Sequence, residues 1–337
     1  MRHLLTTCAM ASVASLASLA SMVSLASAML YSTGAFAQAY PSKPIMVIVP
    51  FAAGGPVDTD TRKYAARLSE MLGQPVVTDY KPGAGTSIGA GFVAKSKPDG
   101  YTILSDSSAF AVFPSFYTDI NFDPLKDLIP ITQMSSLVSV LMVPPSSPLK
   151  SFAEYLAYTR ANPGKINYGN SGVGDISHLS AEWMHSMAGT KVTFVPFKGN
   201  GPMMVDLVAG RLDISSASLV QALPLIRSGK LRPLAIKGPH RVKPLPDVPT
   251  VSEHPGMKEY ADENWLGFFA PAGTPAPIID KLSTSLIAIT RLPAVVADLE
   301  SQASNPVGST PAQFRAFVAE EIARWKKVVA EAGIKTQ

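Results

Sequence analysis

A strand, a glycine-rich turn and a helix follow one another between residues 44 and 73, and this unit constrains the fold more than any other stretch. Residues 45–49 are a continuous apolar run, which is typical of a strand buried on both faces. Gly54 and Gly55 end the run, and apolar residues then recur at helical spacing up to Gly73. The start of such a helix presents backbone N–H groups and partial positive charge, which can bind an anion without Lys or Arg. A single turn of this kind can equally be structural.

The same pattern returns later in the chain. Glycine turns follow two further strands at residues 83–89 and 169–174, and a run of small residues ends another strand at 107–109. The alternation of strands and helices predicts an α/β protein with mixed, mostly parallel sheets. In such sheets ligands bind beyond the carboxyl ends of the strands, where these turns come together. The turns therefore indicate a site for a small anion that is held by neutral N–H and hydroxyl donors.

Proline-rich segments divide the chain into candidate domains. The prolines of residues 144–148 follow an apolar strand and are typical of a crossing into a second domain. Residues 239–256 are also rich in proline and are predicted to be a surface connection. The aromatic run 264–270 is a predicted strand that re-enters the first domain. Two helices are predicted to close the chain, over residues 275–291 and 310–332.

The first 37 residues have the pattern of a secretory leader. Arg2 precedes a long uncharged run, and Ala35-Phe36-Ala37 fits a small-x-small cleavage site, so we expect removal after Ala37 or Ala39. A membrane anchor is the alternative, but the run is rich in Ser and Ala rather than Leu and Ile. The single cysteine, Cys8, leaves with the leader, so no disulfide and no thiol chemistry are expected in the mature chain.

The charge pattern argues against nucleic acid as a partner. Charged residues make up 16% of the chain, the net charge is +4, and Lys and Arg form no block. Phosphate binding needs clustered positive charge, so no nucleic-acid partner is expected.

Three other kinds of site fit parts of the sequence less well. Asp79 lies where a dinucleotide fold places its ribose-binding acid, but the first turn lacks the G-x-G-x-x-G spacing. A serine hydrolase would use Ser171 with His178, yet residues 169–173 depart from G-x-S-x-G at the last position. We interpret Ser171 as a ligand donor or a turn residue.

A metal site is the third alternative. His178, Glu182 and His185 share one face of a predicted helix, but two helical turns separate the histidines, too far for one zinc ion. We therefore expect His178 to orient its turn and His185 to lie on the surface. No metal and no cofactor are expected. Lys198 is either a ligand cation or a solvated loop lysine.

An ordered set of short motifs runs along the chain. The motifs are IVPFAAGG at 48–55 with Asp58, KPGAG at 81–85, PDGYT at 98–102, NPGK at 162–165, Tyr168 with SGVG at 171–174, SHL at 177–179, VPFKG at 195–199 and LPDVPT at 245–250. Together they resemble one protein family, the Bug-type substrate-binding receptors of tripartite tricarboxylate transporters. The resemblance runs from about Tyr40 to the C-terminus, and its specificity comes from the order of motifs that are weak singly.

The resemblance implies a two-lobed, type II periplasmic binding protein fold that closes on its ligand. Lobe 1 would comprise residues 38–141 and 263–337, lobe 2 residues 142–262, and the hinge would lie near 138–144 and 260–267. In the family, loop amides, hydroxyls and ordered waters hold the ligand carboxylate. Carried over by motif, the ligand-binding residues would be Phe51, Ala53, Gly54, Gly85, Thr86, Ser107, Ser108 and Ala109 in lobe 1, and Ser171, Gly172, His178, Ser216, Ala217 and Ser218 in lobe 2.

Two departures from the family pattern concern the ligand. Thr86 stands where the family often has a second glycine, which predicts a narrower pocket. Ser216, Ala217 and Ser218 replace a common Phe-Asp-Asn, which removes a carboxylate partner for an ammonium group. We therefore expect a carboxylate ligand without an amino group, and tight binding of aspartate or glutamate in calorimetry would contradict this.

The sequence thus predicts a periplasmic, non-enzymatic receptor for a small organic acid. The resemblance implies that it docks on the membrane permease subunits of a tripartite tricarboxylate transporter, and we expect a monomer. The alternatives are an exported serine hydrolase that uses Ser171 and His178, and a sensory co-receptor whose closed form contacts a signalling kinase.

Overall fold

A computed structural model describes residues 40–260, 262–301, 304–331, 333 and 336. Residues Met1–Ser42 and Lys43–Gln337 form separate units, and the fold is that of the second unit. The predicted leader and its cleavage site lie outside the described residues. Among the described helices, none alone is long and apolar enough to cross a membrane, although two consecutive helices bent by 64° meet that test as a pair, by length and composition only.

Strands and helices alternate along the described chain. The strands are β1 (Ile45–Val49), β2 (Val76–Tyr80), β3 (Thr102–Ser107), β4 (Leu128–Val143), β5 (Asn167–Asn170), β6 (Thr193–Pro196), β7 (Ile214–Ser218), β8 (Arg232–Ile236), β9 (Glu263–Pro271) and β10 (Ser304–Pro306). The helices are α1 (Pro56–Leu72), α2 (Ser87–Ala94), α3 (Ala109–Phe116), α4 (Phe152–Ala161), α5 (Ile176–Ala188), α6 (Asn200–Val208), α7 (Leu219–Arg227), α8 (Ala276–Thr290), α9 (Pro293–Ser301) and α10 (Pro311–Glu331).

The long strand β4 joins two parts of one sheet. The strand order is β2-β1-β3-β9-β4-β7-β5-β6, and β8 and β10 also pair with β4. Residues 128–138 of β4 pair with β9, whereas residues 139–143 pair with β7 and β8. We call the β9 side the first part of the sheet and the β7 side the second part.

The predicted α/β class is confirmed, and the direction of pairing varies across the sheet. Parallel pairs lie at both ends, where β1 joins β2 and β3, and β5 joins β6 and β7. Around β4 the pairs are antiparallel, because the chain crosses into the second part through β4 and returns through β9. The carboxyl ends of the parallel strands carry the predicted glycine turns.

Local signals set several helix boundaries as predicted. Gly73 ends α1 in the left-handed conformation, with φ of 67°, which a residue with a Cβ adopts at a cost. At the start of α4, the Ser151 hydroxyl accepts the Glu154 N–H while the Glu154 carboxylate accepts the Lys150 N–H. Thr310 and Gln313 form a similar exchange at the start of α10.

The C-terminal helix α10 packs against both parts of the sheet. Near its start, Phe314 lies 5.4 Å from Trp265 and 5.1 Å from Phe269 of β9, measured between ring centroids. Near its end, Trp325 lies 6.0 Å from Trp183 of α5. All five rings are buried, so the predicted core stripe of this helix links the two parts of the sheet.

The structure also contains elements that the sequence patterns did not predict. Helices α3 and α7 contain Pro114 and Pro224, which normally argue against a helix interior. The first half of β4 contains Pro130, and helix α9 and strand β10 form between the two helices that the sequence predicts at the end of the chain. Tertiary packing therefore overrides the local proline signal at these places.

Candidate ligand-binding site

The turns of the first part of the sheet, residues 51–55, 83–86 and 107–109, form a group that we call the N-terminal turns. In the first turn, Asp58 of α1 is fully buried and accepts hydrogen bonds from the Gly54 N–H at 2.7 Å and the Tyr80 hydroxyl at 2.9 Å. The Gly55 N–H donates to the carbonyl of Ala52. The expectation of free N–H groups at this turn is therefore wrong for Gly54 and Gly55, because protein oxygens occupy both. Phe51 is half-buried and Ala53 is exposed.

The second turn is held in an unusual backbone conformation. Ala84, Gly85 and Thr86 have φ of 44°, 59° and 87°, and residues with a Cβ rarely adopt such values. A Cβ on Gly85 would lie 2.5 Å from the ring of Tyr117, so glycine is required there for space as well. Strain of this kind persists only where the surrounding structure enforces it.

A buried carboxyl, Asp106, lies at the end of β3 beside this turn. Its Oδ1 accepts the Ser107 N–H at 2.7 Å, whereas Oδ2 has no hydrogen-bond partner among the described residues. Burial raises the pKa of Asp106 to about 8, against the opposite effects of the Ser107 N–H and the nearby Thr86 hydroxyl. The side chain is therefore protonated at neutral pH.

Ser107, Ser108 and Ala109 connect the end of β3 to helix α3. The Ser108 hydroxyl donates to Oδ1 of Asn264 on β9 at 2.6 Å, and its N–H donates to the carbonyl of Trp265. The Ala109 N–H donates to the Ser107 hydroxyl at 3.3 Å. Through Asn264, this turn reaches a cavity at the crossing between the two parts of the sheet.

The third glycine turn, after β5, is organised by Asp175 at the start of α5. Asp175 accepts hydrogen bonds from the hydroxyls of Ser171 and Ser177, and from the N–H groups of Ser177 and His178. The Ser177 hydroxyl also accepts the Ser171 N–H at 2.9 Å. The Gly172 N–H donates to the side chain of Asn170 at 3.1 Å.

The two histidines of α5 have different environments. His178 accepts the Gly174 N–H at Nδ1, 3.2 Å away, and its Nε2 lies 3.7 Å from Glu182. It therefore orients its turn, as expected, and is not hydrogen-bonded to Ser171, which removes the pairing that a serine hydrolase needs.

The expectation that His185 lies on the surface is wrong. It is buried, with its two nitrogens 2.9 Å from the Tyr155 hydroxyl and 2.7 Å from the Thr190 hydroxyl. Burial, assisted by the charge of Lys237, lowers its pKa to about 3. His185 is therefore a neutral core residue whose two nitrogens are both hydrogen-bonded, so it is not available to share a metal ion with His178.

A polar cavity of about 70 Å³ lies where β4 and the start of β9 cross between the two parts of the sheet. Six of its twelve lining residues are serines. We call five of them, Ser171, Ser177, Ser180, Ser216 and Ser218, the serine wall. The other lining residues are Ser139, Ile176, Asn200, Ala217, Lys237, Asp262 and Asn264.

A buried lysine holds two members of the serine wall, Ser180 and Ser216. The Lys237 side chain is 1% exposed, and its ammonium donates to the hydroxyl of Ser180 at 2.5 Å, to Oδ2 of Asp262 at 3.0 Å and to the hydroxyl of Ser216 at 3.2 Å. Burial opposes the charge of Lys237, but the Asp262 carboxylate outweighs it and holds the pKa well above its usual range. Lys237 is therefore charged although it is buried.

The cavity contains only part of the predicted ligand-binding set. Ser171, Ser216, Ala217 and Ser218 line it, and Ser108 reaches it through Asn264. The remaining predicted residues lie in the surrounding turns and outside its lining: Phe51, Ala53, Gly54, Gly85, Thr86, Ser107, Ala109, Gly172 and His178. Lys198, the other candidate cation, is exposed.

Sequence reasoning missed Lys237, Asp262 and Asn264. Lys237 directly follows the apolar run at the end of β8, and a lone charge at the end of a buried strand was the available signal. Asp262 and Asn264 flank the start of β9, within the stretch predicted as a hinge. Their pairing with Lys237 and Ser108 depends on contacts between distant parts of the chain, which no local pattern reports.

An aromatic pair at the end of α3 lies between two glycine turns. Phe116 and Tyr117 pack edge to face, with ring centroids 5.2 Å apart. Tyr117 covers Gly85 in the first part of the sheet, and the Phe116 ring leaves no room for a Cβ on Gly174 in the second part. This contact joins the two parts of the sheet next to the serine wall.

The fold and the cavity define the class of protein. Two α/β parts joined by crossing strands, with a polar cavity at the crossing, are typical of a receptor for a small solute. Residues 61–334 match the family model described as "Tripartite tricarboxylate transporter family receptor", so the chain belongs to this family. Its members are periplasmic solute-binding receptors and not enzymes.

Individual relatives agree with this assignment. The chain is 38% identical to protein BugT of Bordetella pertussis over 301 residues, which cover 89% of this chain and 92% of BugT. The structure of R. palustris Rpa4515 with adipate matches with a TM-score of 0.76 at 35% identity, covering 88% of this chain and all of that one. MatC of Rhodopseudomonas palustris with bound malate matches with a TM-score of 0.71 at 32% identity, covering 86% and 100%.

Proposed function

We propose that this chain captures a small organic carboxylate in the cavity between the two parts of the sheet and delivers it to a tripartite tricarboxylate transporter. The observation that carries the proposal is the serine wall, a set of hydroxyls held around one buried, charged lysine. Hydroxyl and amide donors bind carboxylate oxygens, and Lys237 orients the hydroxyls of Ser180 and Ser216 by donating to their oxygens. Two family members in which adipate and malate are bound support the same ligand class.

We propose that the ligand is enclosed by a hinge motion between two lobes, residues 38–141 with 263–337 and residues 142–262. The crossing of β4 from β9 to β7 at Val138 and Ser139 supports this division, since few strands would have to bend. In the closed form the N-terminal turns would complete the site from lobe 1. The fourteen residues predicted from the family motifs are thus proposed as ligand contacts, together with Asp262 and Asn264.

The proposal also covers the localisation, the oligomeric state and the membrane partner of the protein. The leader-like residues 1–37 support export to the periplasm, with cleavage after Ala37 or Ala39. We propose that the mature chain is a monomer and that its ligand-bound form docks on the permease subunits of its transporter. Size-exclusion chromatography with light scattering tests the first point, and ligand-dependent co-purification with the permease tests the second.

Native mass spectrometry of the protein purified from the periplasm without denaturation tests the ligand class. We expect one small organic acid per chain, identified by mass after release. If no mass is bound, a thermal-shift screen of carboxylates must give a stabilising acid. A bound nucleotide, an acylated serine or the absence of any stabilising carboxylate would overturn the proposal.

A pair of serine variants locates the site in the same experiment. Ser216→Ala removes a hydroxyl of the serine wall and should reduce the fraction of chains that retain the acid. Ser228→Ala removes an exposed hydroxyl at the end of α7 and should leave that fraction unchanged. Equal retention by both variants would place the ligand elsewhere.

A further inference from the structure

Lys237 has no proton left for a ligand. An ammonium group carries three N–H donors, and those of Lys237 are directed at three protein oxygens, on Ser180, Asp262 and Ser216. A ligand carboxylate must therefore be bound by groups that Lys237 orients, and not by Lys237 itself.

Ser216 is one such group. Its hydroxyl oxygen accepts a hydrogen bond from the Tyr168 hydroxyl at 2.9 Å and another from Lys237 at 3.2 Å. A hydroxyl oxygen has two lone pairs, and both are now occupied, so Ser216 can act only as a donor toward other groups. Because Ser216 lines the cavity, its proton is available to a carboxylate oxygen of the ligand.

Asp262, in contrast to Ser216, can only accept hydrogen bonds. Its side chain is 3% exposed and lines the cavity, and Oδ2 is held by Lys237. The other oxygen, Oδ1, is buried and has no hydrogen-bond partner among the described residues. A carboxylate oxygen only accepts hydrogen bonds, so a hydrogen-bond donor on the ligand would satisfy this atom.

The neighbouring charge decides which donor is suitable. Lys237 lies 3.0 Å from Asp262 and neutralises it, so a ligand ammonium at Oδ1 would add a second positive charge beside the first. A hydroxyl donates the same hydrogen bond without that repulsion. An unsubstituted acid would bring no donor and would leave Oδ1 unpaired.

The size of the cavity limits where the hydroxyl can be. About 70 Å³ holds roughly five small heavy atoms, at about 10–15 Å³ for each water-sized group. A carboxylate, its neighbouring carbon and one hydroxyl oxygen fit in a space of this size, which favours a hydroxyl on the carbon next to the carboxylate.

We propose that Lys237 and Asp262 form a subsite that selects 2-hydroxy carboxylic acids, with the carboxylate on the serine wall and the hydroxyl on Oδ1 of Asp262. The inference rests on the proposed function, because it names the class of acid for the same cavity. It adds a reason, beyond the missing carboxylate at residues 216–218, why an amino acid should be excluded.

Matched acids test the subsite. Calorimetry and thermal shift are measured with acids that share a carbon skeleton and carry H, OH or NH3+ next to the carboxylate: propionate, lactate and alanine; succinate, malate and aspartate; glutarate, 2-hydroxyglutarate and glutamate. In every set that binds, we expect the hydroxy acid to bind at least tenfold more tightly than the unsubstituted acid, and the amino acid to bind most weakly.

Variants of the pair show whether Asp262 causes the preference. In Asp262→Asn the hydroxy acid and the unsubstituted acid should bind within threefold of each other. Asp262→Asn leaves Lys237 buried without its charged partner, so the double variant Lys237→Met with Asp262→Leu removes both charges. It should also lose the preference for the hydroxy acid. Asp206→Asn, in the exposed pair with Arg211, serves as the control and should retain it.

The outcomes separate the two proposals. Equal or tighter binding of unsubstituted acids, or a preference that survives in both Asp262 variants, overturns the subsite while the carboxylate receptor stands. Tight binding of an amino acid also overturns the subsite. If none of these acids binds and the native protein carries no carboxylate, both proposals fail.

Discussion

The N-terminal turns and the serine wall are both rich in small polar groups, but they differ in how those groups are used inside the protein. In the N-terminal turns, the N–H groups of Gly54 and Ser107 already donate to the buried carboxyls of Asp58 and Asp106. In the serine wall, the Lys237 ammonium donates to the hydroxyls of Ser180 and Ser216 and leaves the Ser216 proton available. The hydroxyls of Ser171 and Ser177 instead donate to Asp175, as in the N-terminal turns. The comparison shows that a polar group offers its proton to a ligand where a protein donor, rather than a protein carboxylate, is its partner.

Among the variants that test this comparison, the replacement of Lys237 should change the free energy of unfolding most. Lys237→Met leaves Asp262 buried without its partner, and we expect a loss of about 3–5 kcal/mol in the free energy of unfolding, measured with urea. The double variant Lys237→Met with Asp262→Leu should recover most of the loss. Lys126→Met, in an exposed pair with Asp123, is the control and should change little. A small loss for Lys237→Met alone would show that the serine wall does not depend on a buried charge.

Replacing Asp106 tests the N-terminal turns through pH. The folded carboxyl keeps its proton up to about pH 8, whereas the ordinary pKa is 3.8, so the native state binds more protons between these values and stability falls as pH rises through them. Asp106→Asn mimics the protonated acid. It should be more stable than the parent at pH 8, where the unfolded parent is ionised, and equal to it near pH 4.

Urea unfolding of both proteins at several pH values measures this difference. Asp298→Asn, a partly exposed carboxyl bound to Lys63, is the control and should show no such rise with pH. A stability difference that is the same at pH 4 and pH 8 would mean that Asp106 is ionised in the native state.

Gly174 tests the contact between the two regions. Gly174→Ala introduces a Cβ against the Phe116 ring at a φ of 77°, and should lower the free energy of unfolding by about 2–3 kcal/mol. Gly189→Ala, at the other end of α5, meets the same kind of strain at φ of 63° but has open space, so about 1 kcal/mol is expected. Equal losses would show that Phe116 moves away easily and that the contact does not join the two parts.

The smallest effect is expected at the link between the turns and the cavity. Ser108→Ala removes the hydroxyl that donates to Asn264 and should cost about 1 kcal/mol in the free energy of unfolding, because Oδ1 of Asn264 loses its donor. Ser96→Ala removes an exposed hydroxyl bound within α2 and its following turn, and should be nearly neutral. If the two variants are indistinguishable, the link contributes nothing to stability.

Much of the fold could be predicted from local sequence. The strand at residues 45–49, the glycine that ends α1 and the capping exchange at Ser151 all follow from interactions within a few residues, and each is present. The elements that were missed, α3 and α7, contain internal prolines, and buried aliphatic and aromatic contacts keep them helical. Local signals fail where packing supplies more free energy than the proline removes.

The candidate site, like the fold, could be predicted from the sequence only in part. The sequence by itself determined where the glycine turns lie, that small hydroxyls follow the strands, and which family the motifs resemble, because each depends on residues that are close along the chain. Only the tertiary structure decided that Lys237, Asp262, Ser180 and Ser216 share one cavity. These residues come from four separate elements, and a buried charge is tolerated only where distant parts of the chain bring its partners within hydrogen-bond distance.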